Sequence, residues 1–269
     1  MRESGCPAPL FDSHVHLTDP QFDADREAVL ARAAAAGVSR LVEIGDCPKH
    51  WSRVLAFARA RPKTVRCALG LHPYYADQYT DELLSRLAEH SLLPEVVAIG
   101  EIGLDYTRAS VPAPVQTAAL RRILAACRRW EKPVVIHCRD AYADLRAIVA
   151  EIFPSSPPPY RFWGVVHCFS GSPDDAAFLA AAGFALGADG PITYPKNSAL
   201  RAAFLRIGPD HTVLETDSPY LPPQTRRGQR NEPAAATQIC AALAELWGMP
   251  GHEAAQIATR NALALYRLG

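Results

Sequence analysis

The side chains best suited to chemistry in this chain are histidines and carboxylates standing at the ends of short apolar runs. They are His14 and His16 in Asp12-Ser13-His14-Val15-His16, Glu101 in Ile99-Gly100-Glu101-Ile102, His137 in Val134-Val135-Ile136-His137, His167 in Val165-Val166-His167, and Asp217 in Glu215-Thr216-Asp217. Imidazole nitrogens and carboxylate oxygens are ligands for divalent metals. The side-chain period of two on a strand puts His14 and His16 on one face, where both can approach one ion from the same edge. Asp12, just before them, is expected to fix an imidazole tautomer. One such pair is weak evidence, but buried strand histidines without a metal need other partners, and His137 and His167 repeat the placement. Glu101 can bridge two cations; no lysine lies near that strand end, so Glu101 supplies the bridge if two ions bind. Asp217 can ligate an ion and also accept a proton from the attacking water. His72, in Gly70-Leu71-His72-Pro73, either donates to a substrate phosphate or caps a turn.

Residues spread from 14 to 217 meet at one rim only if a closed parallel sheet gathers them, which predicts an α/β fold, a (β/α)8 TIM barrel forming a single domain over residues 1–269. Eight apolar runs read as strands: Ala8-Asp12, Arg40-Gly45, Val65-Gly70, Val96-Glu101, Val134-His137, Gly164-His167, Phe184-Gly187 and Thr212-Thr216. Helical patterns lie between them at Asp25-Ala36, Trp51-Ala60, Asp81-Glu89, Gln116-Trp130, Ala141-Ile152, Asp174-Ala182 and Ser198-Leu205, followed by Pro233-Leu246 and His252-Arg267. Asp23, Ser172 and Asn197 read as helix N-caps, and Gly37 and Gly183 as stops. Pro154-Ser155-Ser156-Pro157-Pro158-Pro159 reads as an exposed connection. An open doubly wound sheet would instead keep its chemistry at one switch point rather than on most strands.

The composition permits this architecture, since 269 residues with 49% hydrophobic content match the ~250 residues of such barrels. Lys+Arg and Asp+Glu are both 28, so no global basic field holds a polyanion. The lysines are Lys49, Lys63, Lys132 and Lys196, and the scattered arginines carry no binding signal by themselves. Seven cysteines without a CxxC pair, and an N-terminal stretch lacking the apolar core of a signal peptide, suggest a reducing cytoplasm. No apolar run approaches the ~20 residues of a membrane span, so no membrane partner is expected. Cys138 and Cys168 each follow a ligand histidine, and strand alternation is expected to point both thiols away from the metals.

Several of these segments together resemble the TatD family of metal-dependent deoxyribonucleases, within the amidohydrolase-like metal barrels. The similarity runs nearly end to end through Phe11-Asp12-Ser13-His14-Val15-His16-Leu17, Gly70-Leu71-His72-Pro73, Gly100-Glu101-Ile102-Gly103-Leu104-Asp105-Tyr106, Pro133-Val134-Val135-Ile136-His137-Cys138-Arg139-Asp140-Ala141, His167-Cys168-Phe169-Ser170-Gly171 and Glu215-Thr216-Asp217-Ser218-Pro219-Tyr220-Leu221, then Arg227-Gly228-Gln229-Arg230-Asn231-Glu232-Pro233. The resemblance implies that His14, His16, Glu101 and Asp217 hold one divalent ion and Glu101, His137 and His167 another. It also implies 3′-to-5′ exonuclease activity on single-stranded or damaged DNA ends. Thr107 stands where many relatives have a second tyrosine, and Cys138 where serine is common; neither is a ligand.

Two divalent ions among four neutral imidazoles and two carboxylates leave a formal local charge of about +2, which draws in an anion without a basic patch. The expected reaction is in-line attack on phosphorus by water activated by the metals and Asp217, with Glu101 and His72 also catalytic. His72, Arg139 and Arg227 of the Arg226-Arg227 pair are expected to steady phosphate oxygens. Tyr220, with Tyr74 and Tyr106, offers a ring to an unpaired base. The ions expected are Mg²⁺, Mn²⁺ or Zn²⁺, the partner DNA or RNA, and the chain a monomer. A second reading keeps the dinuclear barrel but gives it a small amide, lactone or phosphotriester. A third makes it a non-catalytic binding module, against which stands the complete ligand set.

Overall fold

The computed structural model describes residues 9–153 and 160–268. Eight strands run parallel in chain order: β1 (Leu10–Val15), β2 (Val38–Gly45), β3 (Val65–Leu69), β4 (Val96–Asp105), β5 (Val134–Arg139), β6 (Gly164–Val166), β7 (Phe184–Ala188) and β8 (Thr212–Leu214). Between them lie α1 (Arg26–Ala35), α2 (Pro48–Arg59), α3 (Asp81–Ser91), α4 (Ala113–Arg129), α5 (Tyr142–Ile152), α6 (Pro173–Ala181) and α7 (Ser198–Ile207), with α8 (Ala236–Trp247) and α9 (Gly251–Tyr266) at the end. The circle closes where Asp217 N donates to His14 O at 3.0 Å and His16 N to Ser218 O at 2.8 Å. This is the (β/α)8 TIM barrel expected from the strand count.

The apolar residues sort by strand alternation into two layers. Phe11, Val42, Ala68, Ala98, Val135, Val165, Ala185 and Val213 form one cluster, which α9 joins through Ala262, Leu265 and Tyr266. Their sequence neighbours, such as Leu41, Val134, Val166 and Leu214, belong to the larger cluster shared with the helices. Strands covered on both faces must be apolar throughout, which is why these runs lack a polar side. Continuing by twos along the inner face carries Val135 to His137, Val165 to His167, and Val213 through Glu215 to Asp217. The chemistry therefore stands at the carboxyl rim because apolar residues fill the levels below it.

Some boundaries and caps differ from expectation. Asp25 occupies the N-cap position of α1, because Asp23 ends a short 3-10 turn that precedes it. Ser172 caps α6 in a reciprocal capping box with Asp175. Asn197 precedes α7, but its amide donates to Pro191 O instead of capping. Gly37 and Gly183 follow α1 and α6 with φ of 87° and 88°, as helix stops. Pro233–Ala235 is a 3-10 turn, so α8 starts at Ala236. The proline-rich 154–159 connection and the start of the first predicted strand, Ala8, lie outside the described residues. No described helix is long and apolar enough to cross a membrane.

Asp12 clips β1 to the segment after β8. Its carboxylate accepts from Thr216 N at 2.9 Å, from Thr216 Oγ1 at 2.6 Å and from its neighbour's amide, His14 N, at 3.4 Å. The expected bond to an imidazole is absent, because the Thr216 amide and hydroxyl take this carboxylate across the barrel seam. Burial pushes its pKa up to about 7 against the Thr216 bonds.

Candidate metal centre

Glu101 is the hub. The ladder between β4 and β5 shifts between Ile99 and Ile102, and Glu101 stands within the shift, buried at the rim. Its Oε1 lies 2.6 Å from His167 Nε2, 3.0 Å from His137 Nδ1 and 3.5 Å from His72 Nε2, while Oε2 lies 3.7 Å from His14 Nε2. Asp217 Oδ1 stands 3.4 Å from His16 Nε2 and 3.7 Å from His14 Nε2, and those two nitrogens are 3.2 Å apart. The rings of His14 and His167 stack at 3.9 Å. His14, His16, Glu101, His137, His167 and Asp217 thus converge on one volume. Donor atoms of three groups, His14 with His167 and Asp217, His14 with His16 and Glu101, and His72 with Glu101 and His137, lie within 4.8 Å of one another in each group.

The charges test whether this volume suits a cation. Among the described residues Glu101 and Asp217 pair only with histidines, so no lysine or arginine neutralises them. Burial opposes ionisation of Glu101, yet His167, His72 and the hydrogen bonds from His137 and His167 prevail and hold it well below the usual carboxylate range. Burial also drives His14 well below the usual imidazole range and His72 down to about 4, which favours their neutral, ligating forms. At His16 burial is overcome by Asp217, and at His137 by Asp105 and Glu101, so both rise to about 9. Protons there substitute for the positive charge a metal would bring. Nitrogens and carboxylate oxygens concentrated in a buried site without a fixed cation are the donor set of a divalent metal.

The residues expected to face substrate take distinct places. His72 reaches the cluster itself through Glu101, and its Nδ1 accepts the Tyr74 amide at 3.2 Å, so it caps a turn as well. Arg139 ends β5 and, among the described residues, has no ion-pair partner; it lies in the electrostatic surroundings of Tyr74, whose ring meets His72 edge-on. Tyr220 is 46% exposed, donates to Asp19 at 3.0 Å and meets the His16 ring edge-on at 5.8 Å. Arg227 is exposed, with its guanidinium 4.7 Å from the centre of the Tyr194 ring, and no hydrogen bond or ion pair joins it to the metal cluster. Tyr106 donates to Asp144 at 2.5 Å, which commits its hydroxyl to that carboxylate.

Two carboxylates here escaped the sequence reading although both lie in the motif segments. Asp105 Oδ2 stands 3.1 Å from His137 Nε2, and its Oδ1 accepts the Thr107 and Arg108 amides at 3.0 and 2.7 Å. Glu215, two residues before Asp217 and so on the same face, accepts the Cys168 amide and sits 3.7 Å from His167 Nδ1. The strand alternation on which the expectation for Cys168 rests does not hold. β6 stops at Val166, Cys168 has φ of 44°, and the alternation breaks there; burial and the charges of Asp189 and Asp217 push its thiol well above the usual range. Cys138 is buried among apolar residues, as expected.

A barrel with this donor cluster at its carboxyl rim defines a metal-dependent hydrolase. The family model described as TatD related DNase matches residues 11–267, and the chain belongs to that family. It is 35% identical over 259 residues to the uncharacterized metal-dependent hydrolase YabD of Bacillus subtilis, covering 96% of this chain and 99% of that protein. It is 33% identical to the 3′-5′ ssDNA/RNA exonuclease TatD of Pantoea vagans, over 96% of this chain and all of that protein. The crystal structure of the TatD homolog YjjV from Escherichia coli superposes with a TM-score of 0.87 at 33% identity, covering 97% of this chain and 98% of that one.

Proposed function

We propose that the chain is a nuclease that removes nucleotides from the 3′ end of single-stranded DNA or RNA, with His14, His16, Glu101, His137, His167 and Asp217 holding two divalent ions. The observation that carries the reading is the division of Glu101, one oxygen toward His14 and the other toward His137 and His167. A carboxylate so placed suits a bridge between two ions, and the exonuclease named among the relatives supplies the substrate class. When bound, the ions polarise water and the reacting phosphate. Asp217, hydrogen-bonding distance from the mouth histidine His16, is the acceptor for the proton lost by the attacking water. Asp105 keeps the proton of His137 on Nε2, leaving Nδ1 toward Glu101. Arg139, without an ion-pair partner among the described residues, steadies a phosphate oxygen, and the exposed ring of Tyr220 beside His16 borders the terminal base.

The test is release of mononucleotides from a labelled single-stranded oligonucleotide with Mg²⁺ or Mn²⁺. Wild type should degrade it from the 3′ end and Glu101→Ala should not; equal release by both proteins ends the proposal. Arg227→Ala separates a polyanionic substrate from a small neutral one, losing rate only on the oligonucleotide. His72 does not serve that comparison, because its Nε2 lies 3.5 Å from Glu101.

A further inference from the structure

A second group of donors stands on the rim apart from the centre just described. Asp46 and Cys47 follow β2, and His50 lies in the first turn of α2. Asp46 Oδ1 is 2.7 Å from His50 Nδ1, Cys47 Sγ is 3.5 Å from the same nitrogen, and the three donor atoms lie within 4.8 Å of one another. A relay for a nucleophilic cysteine needs the carboxylate on one imidazole nitrogen and the sulfur on the other. Here both meet Nδ1, so a relay is excluded. Convergence of three donors on one point is instead what a cation requires. Bond lengths of about 2.3 Å to sulfur and about 2.0–2.1 Å to nitrogen put the two atoms roughly 3.6 Å apart in a tetrahedron. The observed 3.5 Å matches, and the Asp46 oxygen must withdraw from Nδ1 by about half an ångström or more.

The surroundings agree. The Asp46 and His50 side chains are 30% and 32% exposed, so an ion and its remaining water reach them directly from solvent. Lys49, the neighbouring cation, is turned onto the Tyr75 ring, 5.6 Å from its centre. The His72 amide donates to Asp46 O at 2.8 Å, which anchors the Asp46 backbone. One carboxylate and one thiolate neutralise a dication, which offsets the unfavourable start of α2.

We infer that Asp46, Cys47 and His50 form a separate site for a thiophilic divalent ion, Zn²⁺ or Co²⁺ and not Mg²⁺, completed by water. Sulfur and imidazole ligands select for these metals, and binding releases the thiol proton to solvent. The full-length protein, loaded with excess Zn²⁺ and desalted, should hold one more ion per chain by plasma mass spectrometry than either Cys47→Ala or His50→Ala. Loaded with Co²⁺, it should show a thiolate-to-cobalt charge-transfer band in the near ultraviolet, absent from Cys47→Ala and retained by Cys168→Ser. His50 is half-exposed, so His50→Ala decides the stoichiometry if Cys47→Ala does not fold. Equal zinc content in wild type and His50→Ala overturns the inference, as does a cobalt band that never forms or that survives loss of Cys47.

Discussion

Replacing Asp105 by asparagine tests the site through a residue that reaches the metal donors only by way of His137. The two Asp105 oxygens serve different partners, Oδ2 the His137 ring and Oδ1 the amides of Thr107 and Arg108. Burial works against the ionised carboxyl, yet the bonds from His137 and the two amides keep it below the usual carboxylate range. Asparagine has one acceptor and one donor end. If its oxygen stays with His137, its NH₂ faces two backbone N–H donors. If its oxygen stays with the amides, the NH₂ faces Nε2 and drives the ring to the Nδ1–H tautomer, which places a proton where Nδ1 meets Glu101 at 3.0 Å. The first choice loses both amide bonds, and the second keeps the hydrogen bonds but removes the lone pair with which Nδ1 would hold an ion. Loss of such an orienting carboxylate weakens metal binding by about 10- to 100-fold, or about 1.4–2.7 kcal/mol. The assay is calorimetric titration of the chelator-treated protein with Mn²⁺ or Zn²⁺, beside hydrolysis rates over a metal series. Activity lost at limiting metal should return at high metal. A folded Asp105→Asn protein with wild-type metal affinity refutes the assignment of Nδ1 as the ligand atom.

In chelator-treated protein His16 and His137 stand at about 9 against an ordinary 6.5. Raised pKa values stabilise the fold fully below the unfolded value and lose that contribution as pH climbs through the folded one, on the order of 3 kcal/mol for each group. Thermal unfolding in chelator should therefore occur at lower temperature near pH 9.5 than near pH 7, with excess divalent ion removing most of the difference; a midpoint that rises over that interval would sink the account. Asn231→Ala deletes amide bonds of 2.8 Å to Thr216 O and Tyr220 O and leaves the Glu232 amide without its 2.9 Å acceptor. With two carbonyls and an N–H left unpaired, it should cost about 2–4 kcal/mol and lower the unfolding midpoint by roughly 5–10 °C in a calorimetric scan; an unchanged midpoint excludes a structural role.

The parts of the site that were legible in sequence are those that follow from residue type and a period of two. His137, His167 and Asp217 stand where Val135, Val165 and Val213 place the inner face of the barrel, so each strand specifies its own ligand. Legibility fails where the backbone leaves strand geometry or where two strands must be aligned. Cys168 lies beyond the end of β6 at positive φ, where alternation no longer sets the side its thiol takes. Asp105 depends on register: Gly103 pairs with His137 and Asp105 with Arg139, so the carboxylate two residues past Gly103 comes level with the ring. Gly103 permits that register, since a Cβ there would lie 1.9 Å from His137 O. No pattern within either strand encodes the pairing. Identity of the metal donors is therefore a local property of this sequence, whereas their tautomers and aim are set between strands; changes at β4–β5 contacts should alter metal affinity while leaving the donor set intact.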